Sequence, residues 1–193
     1  MNNDQARPWR KLRRRTVYES PWVRLHQDDV RLPDGSIIDG HHVVDFLHPV
    51  VGVLPIGTDD RILMIEQYRF ISDTIGWAIP VGRAEEGEEL VDAAQRELHE
   101  EAGYHAETLE YVGDYHPIIG SSDLAFHIFF GYGMEQSGKP TTPHEILQVA
   151  WFHPAEVWSM IVANAIYDGM ALTSLLWHFA RQGQRNKENT GGA

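Results

Sequence analysis

Residues 82–104, GRAEEGEELVDAAQRELHEEAGY, hold the densest concentration of acidic side chains in the chain. Eight of the 28 acidic residues fall between Glu85 and Glu101. Apolar residues recur at helical spacing within this stretch, which predicts a helix over residues 88–102. Gly103 follows at the position where a left-handed residue commonly ends a helix. The segment is therefore expected to be an acidic helix that begins and ends at definable points.

Three of its carboxylates share one side of the predicted helix. Glu97 and Glu101 are four residues apart and lie one above the other, and Glu100 flanks the same side. Like charges this close repel, so they need a counter-charge, and hard divalent cations bind carboxylate oxygens well. Arg96 can balance part of the charge and orient a carboxylate. Gly82 indicates a close approach to the backbone by a metal or a phosphate. A solvated acidic face is the alternative interpretation of the same run.

The spacing of these residues resembles the Nudix box. That motif has Gly, five residues, Glu, seven residues, then Arg-Glu-aliphatic-any-Glu-Glu-any-Gly-aliphatic. Its glycine and charged positions are all present here, and only Tyr104 stands where an aliphatic residue is commoner. The matching residues are Gly82, Glu88, Arg96, Glu97, Leu98, Glu100, Glu101 and Gly103. The segment is thus similar to a family of hydrolases that cleave a diphosphate linked to another group.

The resemblance implies a role for each matching position. Glu97 and Glu101 would be the main ligands of Mg²⁺ or Mn²⁺, with Glu100 assisting and the Val81 backbone carbonyl as a further ligand. Glu88 and Arg96 would form the supporting ion pair of the site. Gly82 would lie against the bound substrate. The metal would neutralise charge on the phosphate oxygens and lower the pKa of a bound water.

The sequence on both sides of the box resembles the ADP-ribose pyrophosphatases and related nucleoside-diphosphate-sugar hydrolases. This similarity covers roughly Val17 to Arg181. It rests on the LPDG turn of residues 32–35, Gln67-Tyr68-Arg69, the loop HPIIGSSD of residues 116–123, EILQVAWF of residues 145–152, and two C-terminal helices. It implies that Arg69 contacts the substrate diphosphate and that Glu145 is the general base. If Glu145 is not the base, a box glutamate, most plausibly Glu100, takes the role.

Other positions leave the substrate open. Trp77 precedes the box and either stacks on a nucleobase or packs in the core. The branch commonly has an acidic residue where this chain has Ala78, and a proline where it has about Ile119. The expected substrate is a nucleoside-diphosphate sugar of the ADP-ribose kind. The alternatives are GDP-mannose, a dinucleoside polyphosphate, FAD, or a non-catalytic Nudix-like sensor that binds such a ligand.

The remaining pattern predicts a mixed α/β protein. Alternating residues indicate a hairpin over residues 23–46, and PVVGVLPI at 49–56 indicates a buried strand. Helices are expected at residues 154–163 and 169–181. The expected fold is a Nudix α/β/α sandwich, a mixed sheet with flanking helices. The domain organisation is a basic, disordered arm (1–16), an N-terminal β region for dimerisation (17–48), the hydrolase domain (49–181) and a disordered tail (182–193).

Composition excludes several classes of partner and site. The formal net charge is −12, which disfavours nucleic acid and anionic membranes as partners. The chain has no cysteine, so disulfides, thiolate zinc sites and cysteine nucleophiles are excluded. No apolar run approaches the ~20 residues that a membrane helix needs, and no signal-peptide pattern is present. We therefore expect a cytoplasmic protein, and the resemblance implies a homodimer that acts on a small molecule.

Overall fold

The computed structural model describes residues 8–141 and 144–190, with the side chains of 185–190 excepted. These residues form two compact units. Of the described residues, one unit contains 8–49 together with His116–Ala125, and the other contains Val50–Tyr115 together with 126–141 and 144–190. The predicted α/β architecture, mixed sheets with flanking helices, is confirmed.

The first unit is built on a three-stranded antiparallel sheet in the order β1-β2-β3. Its strands are β1 (Arg10–Glu19), β2 (Val23–Arg31) and β3 (Ile37–Phe46). The turn between β2 and β3 closes with the Gly35 N–H donating to the Leu32 carbonyl at 3.0 Å. Gly35 has a φ of 84°, a conformation that suits glycine. The predicted hairpin is therefore present.

Strand β1 corrects the expectation of a disordered basic arm. From Arg10 onward the basic run is paired with β2, and residues 1–7 of the arm lie outside the described residues. The cause is charge complementarity, because β2 and β3 carry aspartates opposite the basic residues. Arg14 makes two 2.8 Å bonds to Asp28 and a 3.0 Å bond to Asp45.

The second unit holds two sheets, in the orders β7-β4-β9-β8 and β10-β5-β6. Its strands are β4 (Val50–Pro55), β5 (Ile62–Arg69), β6 (Thr74–Ala78), β7 (Val81–Arg83), β8 (Tyr104–Tyr115), β9 (Phe126–Gln136) and β10 (Ile146–Phe152). Strand β4 is parallel to β9, and the other pairings are antiparallel. All six residues of β4 are buried, as its continuous apolar run predicts.

Three helices complete this unit: α1 (Leu90–Ala102), α2 (Pro154–Val162) and α3 (Gly169–Thr190). Helix α1 packs against β4, β7 and β8, and α3 packs against β4. The core side of α1 buries Ala94 and Leu98, and Gly103 ends the helix with a φ of 74°. The acidic residues of α1 are thereby held against the edge strand β7.

Three elements differ from those expected: the start of α1, the additional strand β6 and the end of α3. Helix α1 begins at Leu90 because Glu88 is used in the turn before it, where its carboxylate accepts the Glu85 N–H at 2.8 Å. Strand β6 pairs with β5 where no strand was predicted. Helix α3 continues through Gln182–Thr190, where a disordered tail was expected, since glutamine, arginine, lysine and glutamate all extend a helix readily. Residues 191–193 of that tail lie outside the described residues.

Among residues 8–141 and 144–190, no helix combines the length and the apolar character needed to cross a bilayer. The longest helix, α3, carries polar residues through its second half.

Candidate active site

Arg96 organises the acidic face of α1. Its guanidinium binds the Glu88 carboxylate through two bonds of 3.0 and 2.9 Å and donates to the Arg83 carbonyl at 2.9 Å. It also donates to Glu97 at 2.7 Å and to Glu100 at 3.3 Å. The bonds to Glu88 raise the pKa of Arg96 and lower that of Glu88, so the pair is ionised. The predicted Glu88–Arg96 ion pair is present and links α1 to β7.

Gly82 makes room for the Glu97 carboxylate. A Cβ at position 82 would overlap the carboxylate atoms of Glu97, so any larger residue would displace that side chain. The Glu97 side chain is only 12% exposed. The absence of a side chain at Gly82 thus leaves room for a protein carboxylate, and the predicted approach of a metal or a phosphate to this position stays a prediction.

Glu101 is the most buried acidic residue of the site, with 7% of its surface exposed. Its Oε2 accepts the Val81 N–H at 2.8 Å. Burial raises its pKa to about 8, the Val81 bond opposes this rise, and the neighbouring Glu97 charge adds to it. Burial also raises the pKa of Glu97, against the effect of Arg96. The two carboxylates are thus held in a place where both are costly to ionise.

Arg69 and Glu145 lie within electrostatic range of Glu101. The Arg69 guanidinium lowers the pKa of Glu101, and the Glu145 carboxylate raises it. Arg69 is exposed at the end of β5, and Glu145 is exposed just before β10. Strands β5 and β10 pair antiparallel, with Ile146 opposite Gln67. The last residues of β5 and the residues that precede β10 therefore lie at the same end of the sheet. Residues far apart in the sequence are in this way brought near the helix carboxylates.

These residues fit a divalent cation chemically but do not form a closed cage. Within the described part of the chain, no three acidic or histidine side chains are gathered as a ligand set. Arg96 occupies one oxygen of Glu97 and one of Glu100. Glu101 has a raised pKa and one backbone bond, so a hard cation would supply the positive charge that it lacks. Carboxylate oxygens of this kind suit Mg²⁺ or Mn²⁺, with substrate oxygens and water completing the coordination.

A cleft of about 310 Å³ lies beside the exposed end of β5. It is lined by Gln67, Arg69, Ile71, Ser72, Thr74, Gly76, Trp77, Ala78, Tyr167, Asp168 and Gly169. Trp77 is half-buried and packs edge-on against Phe152, with ring centroids 4.6 Å apart. Its ring is therefore packed against the sheet, while the residue still borders the cleft. Ala78 is 2% exposed at the cleft floor, so the acidic side chain that the resemblance implied at this position is absent.

The sequence analysis gave no functional role to several residues of this cleft, among them Gln67, Tyr167 and Asp168. Gln67 interrupts an apolar alternation at the end of β5, which was a signal of a special position. Asp168 precedes α3 and accepts the Ala171 N–H at 2.7 Å, the pattern of a helix N-cap. No local pattern places Tyr167 beside β6, because that neighbourhood depends on how α3 packs.

Two family models match this chain. The model described as "NUDIX domain" matches residues 46–170, about two thirds of the chain. The model described as "Nucleoside diphosphate sugar hydrolase N-terminal domain" matches residues 9–44.

Individual relatives are distant. The chain is 29% identical over 167 residues to a CMP-5'-(N-acetyl-N-hydroxy-3-aminopropyl)phosphonate hydrolase of Streptomyces rubellomurinus, covering 86% of this chain and 77% of that protein. It is 26% identical to an ADP-ribose pyrophosphatase of Bacillus subtilis, covering 79% and 82%. A crystal structure of an ADP compounds hydrolase superposes with a TM-score of 0.81 at 18% identity, covering 92% of this chain and 96% of that one. This last likeness concerns the fold.

Proposed function

This chain belongs to the Nudix family of pyrophosphohydrolases, and we propose that it cleaves a nucleoside-diphosphate sugar of the ADP-ribose type. The products would be a nucleoside monophosphate and a sugar phosphate. The observation that carries the proposal is the arrangement around Arg96, which holds Glu97 beside the buried Glu101. The match of residues 9–44 to an N-terminal domain of nucleoside diphosphate sugar hydrolases supports this substrate class.

Nudix hydrolases generally use divalent metal ions, and we assign Mg²⁺ or Mn²⁺ to this site. Glu97 and Glu101 would hold the metal, with Glu100 and the Val81 carbonyl as further ligands. When bound, the ion would neutralise phosphate charge and lower the pKa of a coordinated water. The chain's own contribution is to hold two largely buried carboxylates in place. Arg96 and the absence of a side chain at Gly82 fix the position of Glu97, and the Val81 N–H fixes that of Glu101.

The reaction needs a cation for the diphosphate and a base for the attacking water. Arg69 is the exposed cation near Glu101, and we assign it to the substrate diphosphate. Glu145 is the exposed carboxylate in the same neighbourhood, and we assign it to accept a proton from the water. The water oxygen bonds to phosphorus, the bridging phosphorus–oxygen bond breaks, and the departing phosphate keeps that bridging oxygen.

Glu145→Gln should then lower kcat more than it raises KM, whereas an unchanged kcat would assign the base role to Glu100.

We also propose that the chain is a homodimer whose interface includes β1. All ten residues of β1 are exposed, and the strand lies at the edge of a three-stranded sheet. Large exposed apolar side chains that cluster together are a mark of interaction surfaces. Trp9, Val17 and Tyr18 are each more than half exposed.

A second candidate substrate is a nucleoside monophosphate joined to a phosphonate. The observation in its favour is the relative of Streptomyces rubellomurinus, which is 29% identical and aligns with 86% of this chain. Such a substrate retains the phosphorus–oxygen–phosphorus bond, so Arg69 and the helix carboxylates would act in the same way. It differs from a nucleoside-diphosphate sugar only in the group attached to the second phosphorus atom.

A substrate panel with product identification tests the proposal. The panel contains ADP-ribose, ADP-glucose, GDP-mannose, a diadenosine polyphosphate, FAD and a CMP-linked phosphonate, each with Mg²⁺, with Mn²⁺ and with EDTA. We expect metal-dependent release of a nucleoside monophosphate, with a nucleoside-diphosphate sugar giving the largest kcat/KM. A clear preference for the dinucleotide or for the phosphonate would overturn the assigned substrate class. Turnover that persists in EDTA would overturn the metal assignment.

A further inference from the structure

The cleft beside β5 is larger than contact with a diphosphate alone requires. Its floor is formed by the small residues Gly76 and Ala78 of β6. Gly76 pairs with Gln67, and Ala78 pairs with Ile65, so these small residues share a face with the cleft side of β5. Arg69 follows Gln67 on that face by two residues. A substrate phosphate held by Arg69 would therefore leave the floor of the cleft free for an attached group.

One buried polar group at this cleft lacks a bond. Gln67 is 3% exposed, and its Nε2 has no hydrogen-bond acceptor among the residues that the structure describes. An amide donor removed from water without an acceptor is unfavourable, and such exceptions call for an explanation. A ligand oxygen or ring nitrogen in the cleft would supply the missing acceptor. Gln67 thus indicates a ligand that carries hydrogen-bond acceptors.

An aromatic ring forms one wall. Tyr167 is 65% exposed, and its ring lies 3.4 Å from where a Cβ on Gly76 would stand. A tyrosine exposed to this degree beside a cleft offers a flat apolar face at low conformational cost. Ile71, which is 87% exposed, also lines the cleft. The walls are therefore suited to a flat ring with few polar groups on its faces.

The charge at the far end argues against a second phosphate. Asp168 lines the cleft and caps α3 through its bond to the Ala171 N–H. Its carboxylate would repel a phosphate but can accept a hydrogen bond from a neutral N–H or O–H group. A polyhydroxylated sugar would need polar partners on several sides. Ser72 and Thr74 also line the cleft, but their hydroxyls are hydrogen-bonded to each other at 2.7 Å, and Tyr167, Trp77 and Ile71 provide apolar surface. A nucleobase matches this combination better.

We propose that this cleft binds the nucleobase of the substrate, with Tyr167 stacking on the ring and Gln67 donating to a ring acceptor. The inference rests on the proposed function, since it concerns the group attached to the diphosphate that Arg69 contacts. Gln67 and Tyr167 thereby become determinants of base preference, separate from the carboxylates of α1. Base–aromatic stacking is sequence-tolerant, so Tyr167 supplies affinity and Gln67 supplies discrimination.

The test compares substrates that differ only in base with substrates that differ only in sugar. Full-length wild type, Tyr167→Ala, Tyr167→Phe and Gln67→Met are assayed on ADP-glucose and UDP-glucose, and on ADP-ribose beside ADP-glucose. The matched control is Gln95→Met, because Gln95 also has a buried Nε2 without an acceptor but does not line the cleft. Melting temperatures are measured for each variant, so that loss of folding is separated from loss of binding.

We expect Tyr167→Ala to raise KM roughly 5- to 100-fold on every substrate, and Tyr167→Phe to restore most of the loss. Gln67→Met should reduce the ratio of kcat/KM between ADP-glucose and UDP-glucose, while Gln95→Met leaves it unchanged. A changed ribose-to-glucose preference with an unchanged base preference would assign the cleft to the sugar and overturn the proposal. Unaltered kinetics in both cleft variants would also overturn it. If wild type cleaves none of these compounds, the proposed function itself fails.

Discussion

Glu101 combines burial with a neighbouring like charge, and both disfavour its ionised form in the protein without bound metal. It is 7% exposed, and it stands one helical turn from Glu97, another buried carboxylate. Burial and the neighbouring charge both favour its neutral form, which is why its pKa rises to about 8. Such an arrangement costs stability at neutral pH unless a cation is bound. The residue is thus better explained by ligand binding than by folding.

We predict that Glu101→Gln stabilises the metal-free protein at pH 8 and has little effect at pH 5. A carboxyl whose pKa is raised on folding favours the native state at low pH, and this contribution is lost as pH rises from about 4.5 to about 8. A glutamine side chain is neutral, like the protonated Glu101 carboxyl. The variant therefore keeps this stabilising contribution at pH 5 and at pH 8. We expect a gain on the order of 3 kcal/mol at pH 8 by urea unfolding in EDTA.

Glu86→Gln is the control for this experiment, because it removes the same charge from an exposed position in the turn before α1. Parallel pH profiles for wild type and Glu101→Gln would contradict the assignment. Adding Mn²⁺ should raise the melting temperature of wild type more than that of Glu101→Gln.

Gly82→Ala tests whether the position of Glu97 matters. The new Cβ would overlap the Glu97 carboxylate, which must then move and weaken its 2.7 Å bond to Arg96. Displacement of about 1 Å in a catalytic site can cost about 10²-fold in rate, and we expect a loss of that size. Gly183→Ala is the control, since a Cβ there meets nothing within 4 Å. Full turnover by Gly82→Ala would show that Glu97 tolerates relocation.

The residues of the acidic helix could be predicted because their chemistry is local. The helical spacing of Glu97 and Glu101, and the pairing of Glu88 with Arg96, follow from positions along a single helix and its leading turn. Gln67 and Tyr167 could not be found in this way, since they meet only through strand pairing and the packing of α3. The sequence predicted that another group lies close to the Gly82 backbone, but it did not predict that the Glu97 carboxylate occupies the space of the missing side chain.

At the level of elements, β1 shows where charge patterns mislead. A run of basic residues in isolation resembles a solvated arm, and only the acidic residues on β2 and β3 make it a strand. Asp28 is 4% exposed, and the hydrogen bonds from Arg14 lower its pKa. The buried strand β4 was easier to predict, because a continuous apolar run does not depend on a distant partner.

We predict that Asp28→Asn destabilises the first unit by about 1–3 kcal/mol at pH 7, because a charge-assisted pair with Arg14 is lost. A carboxyl whose pKa is lowered on folding stabilises the native state above its unfolded pKa, and loses that contribution as pH falls through its folded pKa. The difference between wild type and variant should therefore disappear in acid. Asp39→Asn, at an exposed position of β3, is the comparison. Equal stability of wild type and Asp28→Asn at pH 7 would contradict the importance of this pair.

At the scale of the whole molecule, the exposed edge strand leads to a prediction about assembly. We expect light scattering to give about 44 kDa, twice the 22.0 kDa chain, across dilution. Replacing Val17 and Tyr18 with aspartate should yield a monomer, because charges that are costly to bury would take the place of two exposed apolar side chains of the proposed interface. Val162→Asp, at a residue that is 71% exposed in the second unit, should leave the dimer intact. A wild-type monomer with full activity would contradict the dimer.

The central claim is that Glu97 and Glu101 form the catalytic centre of a diphosphate hydrolase. The most direct test is turnover of ADP-ribose by Glu97→Gln and Glu101→Gln at saturating Mg²⁺ and Mn²⁺, with Glu86→Gln assayed beside them. Each site variant keeps the side-chain shape but loses a carboxylate, so kcat should fall by about 10²-fold or more while Glu86→Gln retains wild-type turnover. Near wild-type turnover by either site variant, with wild type active, would contradict the claim.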